Sequence, residues 1–491
     1  MNEHGKAELK LITSGIPTLD KILGGGFVEY SLNLIAGDPG SGKTTLCHQI
    51  AFANASPDRP ALYFTIVGEP PLKMLRYQQQ FSFFDPAKVD QSIHFMNLSQ
   101  EVVGSLDKTL ETIVVEIERR NPAFVVVDSF RSLSQETPRP AGQMNEQTFF
   151  QRLALDLTCR QTTTFFIGEY ASNKPRDYTL FTTADGILFL FQNVNRNSMV
   201  RKIQAVKMRG LDIQPGLHTF RISRDGVSVF PRLIKPIETD LKVQPRRFLS
   251  TGIPGVDEML GGGFFPGSAM LVSGPAGSGK SSLAIQFLAE GVRKGEPGVL
   301  AMFEETPIKY LEQAAGFGID LEQMADQKML KLIYLRPLDL SVDETLHEIQ
   351  HGVDAVGAKR VVIDSLTGLE IALAPTFEED FRESLYRLIG AFTGAGVSII
   401  MTVENTDNYT ELRFSPHAVS FMTNDIILQR YVEIESQIRR VMTVIKARGR
   451  KHSIDLRTYE ITERGIVVGG TLADYQGIIS GVPRLRGKDD A

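Results

Sequence analysis

One glycine-rich pattern occurs twice in this chain and limits the possible folds more than any other feature. Gly37-Asp38-Pro39-Gly40-Ser41-Gly42-Lys43-Thr44 and Gly274-Pro275-Ala276-Gly277-Ser278-Gly279-Lys280-Ser281 both satisfy G-x-x-x-x-G-K-[ST] in full. Each follows an apolar run, Leu32-Asn-Leu-Ile-Ala36 or Met270-Leu-Val-Ser273, and each precedes a helix-forming run, with Thr45 and Ser282 counted with the loops as nucleotide-binding residues. A strand, a tight loop and a helix N-terminus in that order make a phosphate cradle. Glycines let the backbone amides turn inward, and the helix end adds partial positive charge. A chance glycine-rich turn is the competing reading, and the second full match at a repeat interval removes it.

The interval is that of a duplicated domain. Ser14-Gly-Ile-Pro-Thr-Leu-Asp-Lys-Ile-Leu-Gly-Gly-Gly-Phe27 returns 237 residues later as Thr251-Gly-Ile-Pro-Gly-Val-Asp-Glu-Met-Leu-Gly-Gly-Gly-Phe264, and Gly37 returns as Gly274 at the same distance. In each copy a Ser or Thr with proline three residues on reads as a helix start, and the triple glycine reads as its stop. Pro231 to Arg247 mixes prolines and charges without periodicity, as a linker does. The expected organisation is therefore a first domain over 1–235, a linker over 236–247 and a second domain over 248–491. Short β-branched runs such as Phe124-Val-Val-Val-Asp128 and Arg360-Val-Val-Ile-Asp364 alternate with helical stretches, which predicts an α/β fold with a mainly parallel sheet flanked by helices in each copy.

The 491 residues, 42% hydrophobic and 23% charged, can bury two such cores. A formal net charge of −5 argues against affinity built on neutralising nucleic-acid phosphates. Two cysteines, Cys47 and Cys159, make no disulfide framework and no metal-binding spacing. Met1-Asn-Glu-His-Gly-Lys6 lacks a secretory pattern and no apolar run approaches a membrane span, so a cytoplasmic protein is expected, with no membrane partner.

The cradle assigns roles by chemistry. Lys43 and Lys280 would reach the β- and γ-phosphates of ATP, and Thr44 and Ser281 would ligate Mg²⁺. Asp128 and Asp364 each end a buried run, the position from which a carboxylate holds the shell of that ion; a helix N-cap is the competing role. The copies differ at the general base. After the second strand one reads Phe303-Glu304-Glu305-Thr306-Pro307 and the other Ile66-Val67-Gly68-Glu69-Pro70. Valine cannot accept a proton, so stronger catalysis is expected in the C-terminal copy, with Glu69 either a displaced substitute or a solvated loop acid. Val206-Lys207-Met208-Arg209-Gly210 and Ile445-Lys446-Ala447-Arg448-Gly449 place two cations on one side of a strand, within reach of a γ-phosphate or facing solvent.

Taken together these motifs resemble the KaiC family of double-domain RecA-like ATPases. The resemblance spans nearly the whole chain and rests on both loops, Phe303-Glu-Glu-Thr-Pro307, Tyr431-Val-Glu-Ile434, Lys446-Ala-Arg-Gly449 with His452, and Ile478-Ile-Ser-Gly-Val-Pro483. It implies two tandem RecA-like P-loop domains that assemble as an ATP-dependent homohexameric double ring. It implies further that Lys207 with Arg209, and Lys446 with Arg448 and His452, contact the γ-phosphate held by the adjacent subunit. Glu304 and Glu305 match the catalytic pair of the C-terminal ring. The family's Ser-Thr autophosphorylation pair falls on Ser420 and Phe421, so a two-site cycle is not available, although Ser420 can still accept a phosphoryl group and Thr423 lies nearby. A KaiB-like or other signalling protein is an implied partner, while the short stretch after Pro483 argues against dependence on KaiA.

Three functions compete at this stage. The first is an ATPase and serine autokinase acting as a signalling or clock-type regulator. The second is an ATP-switched scaffold without phosphotransfer. The third is a nucleic-acid motor, disfavoured because no dense basic and aromatic cluster occurs.

Overall fold

The computed structural model describes residues 9–66, 71–98, 105–128, 144, 146–170, 179–195, 198–232, 248–335, 341–372, 378–405, 421–478 and 484–485. The chain divides into two compact units, Met1–Arg232 and Leu233–Ala491, and each carries one nine-stranded sheet.

In the N-terminal unit the strands lie in the order Ile93–Leu98, Ala61–Ile66, Phe124–Asp128, Thr163–Glu169, Leu32–Gly37, Gly186–Asn195, Ser198–Met208, His218–Ser223 and Gly226–Phe230. The first six are parallel, and the last three extend the sheet as antiparallel hairpins. The C-terminal unit repeats the order with Leu330–Tyr334, Gly298–Met302, Arg360–Asp364, Ser398–Glu404, Ala269–Gly274, Asp425–Ile434, Gln437–Ala447, Arg457–Thr462 and Gly465–Thr471. The mainly parallel sheets that the sequence pattern predicts are observed, and they form the two tandem RecA-like domains that the family resemblance implies.

The strand preceding each loop is buried on both faces, the signature of a parallel sheet covered by helices. Along Leu32–Gly37, Leu32, Leu34 and Ala36 enter the core shared with the helices Leu106–Arg120 and Glu146–Cys159. Ile35 points the other way, into the core of the helices Pro17–Ile22 and Lys43–Asn54. In the second unit Met270 and Val272 enter the core made by Pro254–Met259 and Lys280–Arg293. Val342–Val356 and Glu378–Gly394 pack against Gly298–Met302 and Ser398–Glu404 respectively.

A helix begins at the repeated Ser/Thr-Gly-Ile-Pro in both copies. Proline does stand at the first turn of Pro17–Ile22 and Pro254–Met259, but the N-cap residues are Ile16 and Ile253. Ser14 and Thr251 instead close the preceding turn: the Ser14 and Thr251 amides donate to Asp20 Oδ1 (2.7 Å) and Asp257 Oδ1 (2.8 Å). A carboxylate one turn into the helix reaches back to the loop, so the hydroxyl is not needed at the cap.

Candidate active site

Each phosphate loop sits at the carboxyl ends of the parallel strands, the edge where open α/β sheets bind ligands. Gly42 and Gly279, the N-caps of Lys43–Asn54 and Lys280–Arg293, adopt left-handed conformations with φ of 102° and 96°. Only glycine takes that conformation without strain. A Cβ on Gly42 would in addition stand 2.4 Å from Ile222 Cδ1.

The loop lysines are held by their own loops. Lys43 Nζ donates to the carbonyls of Gly37 (3.1 Å) and Asp38 (2.7 Å), and Lys280 Nζ to those of Gly274 (2.9 Å) and Pro275 (2.8 Å). Burial lowers both ammonium pKa values; Glu169, Asp128 and Asp38 oppose this at Lys43, and Glu404, Asp364 and Glu304 oppose it at Lys280. A partly desolvated ammonium that now binds neutral loop carbonyls would gain a stronger, charge-assisted bond from a phosphate oxygen.

The strand-end aspartates face the loop hydroxyls. Thr44 Oγ1 donates to Asp128 Oδ2 at 2.8 Å, and Tyr63 OH donates to the same oxygen at 2.9 Å. Asp364 Oδ2 accepts from Tyr310 OH at 2.7 Å, and Thr402 donates to Asp364 Oδ1. Ser281 lies beside that same Tyr310 phenol and lines the same cleft. The cap of the helix Leu366–Ala372 is made by the next residue, since the Gly368 amide donates to Ser365 Oγ at 3.0 Å. Asp364 is therefore not spent as an N-cap.

In the C-terminal unit these groups line a cleft of about 310 Å³ that includes Lys280, Ser281, Glu304, Glu305, Asp364 and Glu404. Glu304 is oriented by Ser365, whose hydroxyl donates to Glu304 Oε1. Glu305 is half exposed and lies 3.8 Å from Lys309 on the following helix. Of the two carboxylates, Glu304 is thus the one held in place over the loop.

Glu169 and Glu404 are functional candidates that the motif search passes over. They end the strands beside the loop strands, where Gly37 pairs with Glu169 and Gly274 with Glu404. Their recurrence 235 residues apart, each after an apolar run, was the available signal.

The strand cations lie elsewhere. Gly186 pairs with Asn33 and Leu190 with Gly37, so the amino end of Gly186–Asn195 is remote from the loop; Lys207 pairs with Ile187 at that end. Its Nζ donates to the Ala184 carbonyl at 2.6 Å, and Arg209 pairs with Asp185 at 2.9 Å. Lys446 donates to the Thr423 carbonyl at 2.6 Å and Arg448 to that of Phe421 at 3.1 Å, again beside the amino end of the neighbouring strand. Neither pair is brought to the loop of its own unit. His452, partly exposed, follows the same turn. Val67, Gly68 and Glu69, the linker over 236–247, and Ser420 lie outside the described residues.

Among the described residues no group of three His, Cys, Asp or Glu side chains could hold a metal ion, and no helix is long and apolar enough to cross a membrane. A family model for the KaiC ATPase matches residues 12–234 and again 249–473. The circadian clock oscillator protein KaiC of Picosynechococcus sp. is 28% identical over 482 residues, 95% of this chain and 91% of that protein. KaiC of Prochlorococcus marinus is 27% identical over 493 residues, 97% and 96% of the two chains, and KaiC 1 of Synechocystis sp. is 27% identical over 486, or 96% and 91%. With both loops, both strand-end aspartates and the strand order repeated in each half, and the family model matched twice along its length, the chain belongs to the KaiC family of ATPases.

Proposed function

We propose that the chain binds one Mg·ATP at each loop, hydrolyses ATP chiefly in its C-terminal domain, and acts there as an autokinase on Ser420 in a signalling or clock-type role. The observation that carries this reading is the convergence of Lys280, Ser281, Asp364 and the Ser365-oriented Glu304 on one cleft.

The donor set suits a hard dication. Thr44 and Asp128 touch at the mouth of the first loop, and Ser281 and Asp364 line one cleft with Tyr310 between the strand end and the helix in the second. Mg²⁺ takes oxygen ligands, keeps several waters and is held by one or two carboxylates plus phosphates, which agrees with so sparse a protein contribution. When bound, it would neutralise charge on the β- and γ-phosphates.

Glu304 acts as the base. It accepts the proton of an attacking water or of the Ser420 hydroxyl of a neighbouring subunit as the new O–Pγ bond forms, and the bond to the β,γ-bridging oxygen breaks with release of ADP. Lys280 stabilises the charge on the transferring phosphoryl group. The position of Lys446 and Arg448 at the far end from their own loop supports service to a second copy, with His452 beside them; Lys207 and Arg209 would do the same in the N-terminal ring. Self-assembly into an ATP-dependent hexamer follows from that reading, and native mass with and without Mg·ATP tests it. Val67 in place of Glu304 supports slow hydrolysis in the first domain.

Glu304→Gln is expected to lower kcat by about 10² to 10⁴ with nucleotide retention intact. Ser420→Ala is expected to abolish label uptake from γ-labelled ATP while hydrolysis continues. Unchanged kcat in the first variant removes Glu304 as base. Label persisting in the second eliminates Ser420 as acceptor.

A further inference from the structure

Both halves bring a buried phenol onto the strand-end aspartate, and they do so from positions that are not equivalent. In the first unit the donor is Tyr63, on the strand Ala61–Ile66; in the second it is Tyr310, on the helix Pro307–Ala315. Applying the repeat interval of 237 places Leu300 opposite Tyr63 and Lys73 opposite Tyr310, so neither tyrosine is inherited from the other copy's pattern. The two hydroxyls nevertheless end on one oxygen of the equivalent carboxylates, at 2.9 and 2.7 Å. The rings are 0% and 2% exposed.

From this we infer that Tyr63 and Tyr310 are positioning residues for the metal shell, each fixing the strand-end aspartate so that its remaining lone pairs face the loop hydroxyl and the ion's water. The inference rests on the reading of both loops as Mg·ATP sites. A carboxylate at the end of a strand can rotate about two side-chain torsions. A donor anchored in the core on one oxygen restricts that freedom, with Thr402 holding the other oxygen of Asp364, and a preoriented ligand loses less entropy when the ion arrives. In the second unit Ser281 lies beside the same phenol, so the carboxylate is set next to the loop serine.

The test uses the full chain, a non-hydrolysable ATP analogue and Mn²⁺ as the probe, with free Mn²⁺ read by electron paramagnetic resonance. Tyr63→Phe and Tyr310→Phe each retain the ring. Each is expected to weaken one of the two classes of Mn²⁺ site by about tenfold, with metal-free analogue binding in EDTA and thermal unfolding unchanged. Unaltered or tighter Mn²⁺ binding in both variants overturns the inference while leaving the ATP sites standing. If wild-type protein binds no Mn²⁺ with the analogue, the Mg·ATP reading and the inference both fall. A double-mutant cycle guards against an indirect packing effect. Tyr310→Phe introduced into Asp364→Asn is expected to cost no further affinity, and a second, additive loss would show that the phenol acts elsewhere.

Discussion

His48 is expected to make the N-terminal domain acid-labile at a pH where the C-terminal domain stands. It lies on the helix that follows the first phosphate loop, is 0% exposed, and packs against Tyr63, Phe95 and Phe52 with ring centroids 4.6, 5.7 and 6.5 Å away. Neither ring nitrogen has a hydrogen-bond partner. Burial alone pushes its pKa from 6.5 down to about 3. The unfolded chain binds a proton below 6.5 that the folded chain refuses until about 3. Stability from this group is complete above pH 6.5 and is lost as the pH falls, at about 1.4 kcal/mol per unit. Between pH 6.5 and 5 that amounts to about 2 kcal/mol, or a roughly thirtyfold rise in opening of the helix. The equivalent position in the second domain, 237 residues on, is Ile285, which cannot titrate.

Hydrogen exchange followed by mass spectrometry, at pH 7 and pH 5 after correction for intrinsic exchange rates, separates the two loop helices. Peptides from Lys43–Asn54 are expected to lose protection at pH 5, and those from Lys280–Arg293 to change less. His48→Leu is expected to abolish the difference and to leave the domain as stable at pH 7 or more so, because two buried polar atoms without partners disappear. If the variant and the wild type lose protection in parallel, or His48 titrates near 6.5, the reasoning fails.

Two other perturbations follow from particular contacts. At Gly368 a Cβ would stand 2.6 Å from Glu304 Cγ and 3.0 Å from Oε1. The residue is helical, so the propensity gain of Gly368→Ala offsets part of the crowding against buried Phe303, whose Cβ would stand 3.0 Å away, while displacement of Glu304 is expected to lower kcat by about a hundredfold; steady-state kinetics showing full kcat would argue against Glu304 as the base. Asp425 is buried 2.8 Å from Arg450, and its pKa is raised to about 6, by burial against the opposing pull of Arg450. Its folded state binds a proton more readily than the unfolded chain. Stability from this group is therefore greatest below about 4 and is lost as the pH rises through 6, by up to about 3 kcal/mol. Urea titrations at pH 4.5 and 6.5 should show the wild type losing ground to Asp425→Asn over that range, and a constant gap between them would contradict the assignment.

The two domains share a strand order and differ at the position of the proposed base. Glu304 over the second loop has Val67 as its counterpart by sequence, whereas the lysine, the hydroxyl and the strand-end aspartate are present in both halves. On the proposed reading, the binding machinery is duplicated and the base is not. That division fits one domain that chiefly holds nucleotide and one that turns it over.

Contiguous residues were enough to read the cradles, the duplication and the buried strands. A loop of inward amides needs glycine at particular φ values, and a strand covered on both faces needs unbroken apolar residues; both demands are local and appear in consecutive positions. Neighbours across a sheet are not local. Glu169 reaches Gly37 only because the strand Thr163–Glu169 inserts beside Leu32–Gly37, more than a hundred residues away along the chain. In the same way, only the packed sheet and helices decide that Ser365 takes the cap and orients Glu304, that phenols from unlike elements meet the strand-end aspartates, and that Lys207 and Lys446 stand at the far edge from their own loops. Strand order is set by how helices cover the two faces, a property of the whole domain, and side-chain adjacency follows from that order.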